Sequence, residues 1–151
     1  MTELMQTADF LSRARRRMRY GALSREPLRL MRLEWKETVV ECDWLMRAPD
    51  VWDRFLPQHL VRSHQSLQAL RDALNLRDLV FAAFPRVSQA ELRMFRREPD
   101  RPLEVLMCGT VHRANEIMQR VPSVAMRAKL CGFEFSLAEG ILETRERVSC
   151  V

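Results

Sequence analysis

Apolar residues recur at helical spacing in three stretches of the chain, 3–19, 58–84 and 122–130. In the first stretch they form one stripe, spaced four, three and seven residues apart, of Leu4, Ala8, Leu11 and Met18. The second stretch keeps helical spacing until Pro85, with Asn75 as a candidate break. Gly21 and Gly132 follow the first and third stretches, and glycine commonly ends helices. The pattern therefore predicts three helical regions.

Alternation of apolar and polar residues predicts strands between these helices. Residues 38–46 alternate well, and residues 28–35 alternate with one slip, which predicts a bulge or burial on both faces. The polar pair Lys36 and Glu37 is the predicted hairpin turn between them. A second hairpin is predicted from 90–97 and 103–111, and a last strand from 133–137, with 141–143 as its continuation.

These elements predict one α+β domain over residues 1–151. The predicted order is α-ββ-α-ββ-α-β, with a mainly antiparallel sheet of about five strands and helices packed on one face. Within the domain, residues 1–21 are predicted as a basic amphipathic helix and residues 145–151 as a flexible tail. The two halves share a loose plan without a sequence repeat.

The composition is that of a soluble globular protein. Of 151 residues, 47% are hydrophobic and 30% charged, and no apolar run approaches the roughly 20 residues that a bilayer span requires. The first residues lack the pattern of a secretory signal, so we expect a cytoplasmic protein without a membrane partner. The four cysteines are widely spread, and we expect free thiols.

Arginine dominates the charge of the chain. There are 23 arginines and two lysines, with a net charge of +5, and six arginines fall within residues 12–27. On the first helix, Arg13, Arg16 and Arg17 share the side opposite the apolar stripe. Guanidinium groups bind carboxylates and phosphates bidentately, so we predict that these three residues bind an acidic protein partner, with nucleic acid as the alternative. The competing interpretation is that they remain solvated or pair within the chain.

The three tryptophans provide a second candidate surface. Trp35, Trp44 and Trp52 lie close together in the first third of the chain, and indole is enriched at protein contacts. If the first hairpin is exposed on one face, its edge strand could also pair with a second copy. We therefore predict partner binding by these residues and self-association, while core packing explains one or two of them equally well.

No pattern in the chain identifies a catalytic or metal site. Glu41 and Asp43 share a strand face, but alternating charges are also typical of a solvent-facing sheet surface. Cys108 and His112 also share a strand face, where Cys42 or Cys131 could complete a metal site, but buried free cysteines are common. No glycine-rich phosphate loop and no catalytic motif is present. We predict a non-catalytic binding or accessory protein without cofactor or metal. The alternatives are a nucleic-acid-binding regulator and a small-ligand-binding protein or enzyme with a pocket between sheet and helices.

Overall fold

The computed structural model describes residues 3–17, 28–114 and 120–145. Its helices are α1 (Glu3–Arg17), α2 (Gln58–Ala83) and α3 (Val124–Cys131). Its strands are β1 (Arg29–Lys36), β2 (Val39–Leu45), β3 (Gln89–Arg96), β4 (Glu104–His112), β5 (Phe133–Glu134), β6 (Leu137–Ala138) and β7 (Ile141–Leu142). The predicted α+β class is confirmed, and the predicted element order matches roughly, with three short strands after α3 in place of one.

The five main strands form one mostly antiparallel sheet in the order β1-β2-β3-β4-β5. One neighbouring pair, β2 and β3, is parallel. This follows from α2, which carries the chain from the end of β2 back to the edge where β2 began. Strands β6 and β7 form a separate two-stranded sheet instead of continuing β5.

A bulge in β1 explains the slip in its sequence pattern. The register with β2 shifts between Leu30 and Arg32. One extra residue at this point returns the following side chains to the inner face, so that Leu30, Leu33 and Trp35 all pack against the core. The predicted bulge is confirmed. The turn after β1 consists of Glu37 and Thr38, one residue later than predicted, with Glu37 at a φ of 52°.

The hydrophobic core lies between the sheet and the helices. Strand β3 contributes Ala90, Leu92 and Met94, all fully buried. Helix α2 runs unbroken through Asn75, so the candidate break is wrong. Asn75 is exposed, and a solvated asparagine costs a helix too little to interrupt one held by tertiary packing.

Helix α1 turns a different face to the core than its apolar stripe predicts. Phe10 is fully buried and Gln6 nearly so, whereas Leu4 and Leu11 are exposed. The ring of Phe10 packs on Phe84 with the ring centroids 5.6 Å apart. An aromatic ring buries more apolar area than a leucine, which favours the face that carries Phe10.

The ends of two predicted segments fall outside the described residues. Helix α1 is described to Arg17, and its predicted end near Gly21 lies beyond that range. Of the predicted flexible tail 145–151, only Arg145 is described, and its backbone N–H donates to the carbonyl of Val105 at 2.8 Å.

The thiols divide into two kinds. Cys42 and Cys131 are free and buried, whereas Cys108 is disulfide-bonded. The expectation of free thiols is therefore wrong for Cys108. Burial in an apolar environment raises the pKa of Cys42 to about 12, which makes it a poor nucleophile.

None of the described helices has the length and apolar content needed to cross a membrane.

Candidate docking surface

Residues 48–57 form most of the segment between β2 and α2, and a buried ion pair of the preceding Arg47 fixes their start. We refer to these residues as the 48–57 loop. The Arg47 Nε lies 2.9 Å from the Asp72 carboxylate of α2, and both side chains are almost completely buried. The Gln65 amide also donates to the backbone carbonyl of Arg47 at 2.7 Å. The loop therefore leaves the sheet in one defined direction, along the first half of α2.

Asp50 and Asp53 fix the middle of the 48–57 loop. The Asp50 carboxylate accepts a hydrogen bond from the Trp52 backbone N–H at 3.1 Å and caps a single 3-10 turn, Val51–Asp53. The Asp53 carboxylate lies 3.1 Å from the Nδ1 of His64 on α2. Polar atoms of the loop are thus engaged with the loop itself and with α2.

The same loop leaves its large apolar side chains in solvent. Trp52 is 65% exposed and Phe55 is 87% exposed, and Val51 and Leu56 are exposed beside them. The Arg54 guanidinium lies 5.1 Å from the centroid of the Phe55 ring. Aromatic side chains held outward on an anchored backbone are typical of contact sites in protein interfaces. We call Val51, Trp52, Phe55 and Leu56 the aromatic patch.

A cleft of about 360 Å³ lies beside the loop. Met46 and Pro49 line it near the start of the loop. Arg62 of α2 and Arg97, which follows β3, line the same cleft. Neither Arg62 nor Arg97 forms an ion pair with any residue that the structure describes. The neighbouring Arg96 is different, because Glu104 binds it at 2.6 Å. The cleft thus combines apolar and polar side chains with the guanidinium groups of Arg62 and Arg97. It also contains one carboxylate, that of Glu98, which lies 3.5 Å from Arg96.

The outer face of the sheet is polar and its charges are mostly paired. Arg93 binds Asp43 through two nitrogen atoms, at 2.9 and 2.7 Å. Arg32 binds Glu34 and Glu41. Burial alone would raise the pKa of Glu41, but the hydrogen bond from Arg32 and the positive charges beside it hold that pKa below its usual range. A cleft of about 470 Å³ lies on this face, and most of the charged side chains that line it, such as Arg93 with Asp43, are paired within the chain.

The structure separates the three tryptophans. Trp44 is fully buried, with 0% exposure, so it cannot touch a partner unless the core opens. Trp35 is half-buried, its indole meets the Phe84 ring edge-on at 5.0 Å, and its Nε1 donates to the Glu37 carbonyl. Trp52 is exposed on the aromatic patch. Of the predicted aromatic contact residues, Trp52 is the most available to a partner.

The structure describes the backbone, but not the side chains, of the three arginines of α1 predicted to bind a partner. Arg13, Arg16 and Arg17 belong to the last turns of α1, and their side chains are outside the described part of the structure. Sequence reasoning missed Phe55, Arg62 and Arg97. Phe55 had one signal, since it lies in a short segment between a helix-capping aspartate and Pro57, too short to bury every apolar residue. Arg62 and Arg97 had none, because only the fold brings them to one cleft.

Comparison of the chain with protein-family models, with curated proteins and with solved structures finds no match in any of the three.

Proposed function

We propose that this protein is a non-catalytic binding or accessory protein that docks on an acidic protein partner through the aromatic patch and the adjacent cleft. The observation that carries the proposal is the exposure of Trp52 and Phe55 on a loop whose backbone is anchored. An anchored loop loses little conformational entropy when a partner covers it, so more of the apolar contact energy remains for binding.

Charge supports an acidic partner. The chain carries a net charge of +5, and Arg62 and Arg97 line the cleft beside the start of the 48–57 loop. Their guanidinium groups can bind carboxylates bidentately, and the long-range field of a basic protein steers acidic partners towards it. Arg13, Arg16 and Arg17 remain part of the proposal as further contacts for the same partner.

Self-association and a cytoplasmic location complete the proposal. Self-association is supported by β1, which lies at the edge of the main sheet and pairs only with β2 among the described residues. The disulfide of Cys108 weighs against the cytoplasm, because disulfides are rare there. Alkylation of the thiols in intact cells, followed by mass spectrometry of the Cys108 peptide, decides between a reducing and an oxidising compartment.

The docking proposal is tested by affinity capture with matched baits. We expect the wild-type chain to retain an acidic protein from its native extract, and Trp52→Ala and Phe55→Ala to lose it. Met126→Ala is the control, because Met126 is similarly exposed but lies on α3. The retained protein is then purified and titrated against each bait, and we expect Arg62→Ala and Arg97→Ala to weaken its binding, more at low salt than at high salt.

Two results oppose the proposal. One is a partner that binds the Trp52→Ala and Phe55→Ala baits as strongly as the wild type. The other is binding to labelled single-stranded or duplex oligonucleotides that weakens steeply with salt and is reduced by Arg16→Ala and Arg17→Ala. The second result would favour the nucleic-acid-binding alternative.

A further inference from the structure

Strand β1 forms a long edge of the main sheet. It has eight residues, and within the described part of the chain β2 is its single neighbour, whereas the opposite edge strand, β5, has two residues. Apart from its ladder with β2, no backbone hydrogen bond to β1 is present among the described residues. An edge of this length presents a row of unpaired N–H and carbonyl groups, which can pair with another strand.

The core is incompletely covered along this edge. Val40, Cys42 and Trp44 of β2 are fully buried. Their partners across the ladder, Trp35, Leu33 and Leu30, face the same core but are only half-buried. The inner-face side chains are therefore less buried on β1, at the edge of the sheet, than on β2. A further strand beside β1 would bury the apolar side chains that β1 leaves half in solvent.

The centre of β1, Arg32 to Glu34, is complementary to itself in one antiparallel register. If two copies of β1 pair about Leu33, the Leu33 side chains of both copies lie opposite each other on the inner face. On the outer face, Arg32 of each copy then lies opposite Glu34 of the other. Both cross-strand charge pairs are favourable, and a two-fold axis relates them, as closed dimers require.

The helical layer has an uncovered apolar surface on the same side. Phe10 of α1 packs on Phe84, and the Phe84 ring meets Trp35 of β1, which places α1 on the β1 side of α2. Leu4 and Leu11 of α1 are exposed. Pairing about Leu33 puts both helical layers on one side of the joined sheet, because the paired residues share a face. The α1 helices of two copies then flank the junction.

We propose that a second copy of this chain pairs with β1 in antiparallel fashion, centred on Leu33, and joins two five-stranded sheets into one of ten strands. This inference deepens the self-association in the proposed function and is independent of the aromatic patch. The half-buried inner residues of β1 and the exposed residues of α1 supply the apolar contact. Arg32 and Glu34 determine the register.

Cysteine cross-linking tests the register directly. Both cysteine variants also carry Cys42→Ala, because Cys42 is a free thiol directly across the β1–β2 ladder from Leu33 and would otherwise compete for the introduced thiol. In Leu33→Cys the introduced thiols of two copies then lie opposite each other, within reach of a disulfide. In Lys36→Cys, on the same strand, they lie six residues apart along the joined strands, about 20 Å. Under mild oxidation we expect a cross-linked dimer from Leu33→Cys on a non-reducing gel, and no more from Lys36→Cys than from the wild type. Equal cross-linking of the two variants would overturn the inference.

Measurement of the molecular mass in solution is the second test of the proposed dimer. Light scattering on a dilution series should show a dimer for the wild type, and Glu34→Arg should raise its dissociation constant about tenfold by placing arginines opposite each other twice. The circular dichroism spectrum of Glu34→Arg must match the wild type. A wild type that stays monomeric overturns the inference, as expected if β1 pairs with a strand of another protein. A dimer abolished by Trp52→Ala and unaffected by Glu34→Arg overturns it too, while leaving the aromatic patch as a contact site.

Discussion

The Arg47 guanidinium lies 2.9 Å from the Asp72 carboxylate, with the two side chains 1% and 3% exposed. This pair joins the end of β2 to the middle of α2, at the point where the 48–57 loop begins. Taking two charges out of water is costly, so a buried ion pair is weak grounds for expecting high stability. Its position indicates another role, because it fixes the direction in which the loop leaves the sheet.

The pH dependence of stability should reveal Asp72. Burial raises the pKa of Asp72 to about 6, although the charge of Arg47 and hydrogen bonds from Gln68 and Arg47 oppose the rise. Because this pKa exceeds that of the unfolded chain, the stability that Asp72 contributes is fully present below about pH 4 and is lost as the pH rises through about 6. Relative to Asp72→Asn, the wild type should lose up to about 3 kcal/mol over that interval, as measured by urea unfolding.

Glu104 supplies a control of opposite sign. A hydrogen bond from Arg96 holds the pKa of Glu104 below its usual range, so its contribution is present above the unfolded pKa and is lost as the pH falls. Relative to Glu104→Gln, the wild type should therefore gain stability as the pH rises, by less than about 1 kcal/mol because the pair is partly exposed. If the unfolding free energy of the wild type, relative to that of Asp72→Asn, also increases as the pH rises, the raised pKa of Asp72 is wrong.

Two tryptophans eight positions apart should respond oppositely to truncation. Trp44 is fully buried in the core, and Trp44→Ala should cost about 3–5 kcal/mol of unfolding free energy. Trp52 is exposed, and Trp52→Ala should change that free energy by no more than about 0.5 kcal/mol. Chemical denaturation followed by circular dichroism measures both. A large loss of stability in Trp52→Ala would mean that the aromatic patch is part of the core.

Gly109 should tolerate no side chain. A Cβ at Gly109 would lie 2.5 Å from the carbonyl oxygen of Gly132 and 2.9 Å from the Cα of Phe133. Both are backbone atoms, so relief requires β4 and β5 to move apart. We expect Gly109→Ala to cost about 1–3 kcal/mol in urea unfolding. Thr110→Ala, at the exposed next residue, should stay within about 0.5 kcal/mol, and similar losses in both variants would contradict the steric explanation.

Local signals account for much of the predicted fold. Helix α3 begins where the Ser123 hydroxyl accepts from the Met126 N–H and ends at Gly132, whose φ is 117°. Both are properties of neighbouring residues, so the sequence contains them. The parallel pairing of β2 and β3 is different, because it depends on where a 26-residue helix returns the chain. No pattern within either strand carries that information.

The candidate site was less predictable than the fold. Alternation with Val40 and Cys42 already placed Trp44 on one strand face, and this was a usable signal for the core. The face of α1 was misjudged because spacing gives every apolar residue equal weight, whereas one buried phenylalanine outweighs two leucines at the margin. The cleft with Arg62 and Arg97 depends on contacts between α2 and the end of β3, which only the folded chain supplies.

The anchoring of the 48–57 loop leads to a prediction about dynamics. Gln65→Ala removes the hydrogen bond to the Arg47 carbonyl and should cost the loop about 1 kcal/mol of local stability. The Asp53 and Leu56 amides, which donate to carbonyls within the loop, should then exchange with deuterium about fivefold faster, and amides of β3 should not change. Gln58→Ala is the matched control, because Gln58 is an exposed glutamine at the start of α2. If an anchored loop aids docking, Gln65→Ala should also weaken binding of the captured partner more than Gln58→Ala does, since both glutamines line the docking cleft but only Gln65 anchors the loop. Unchanged exchange in Gln65→Ala would show that the loop does not depend on this contact.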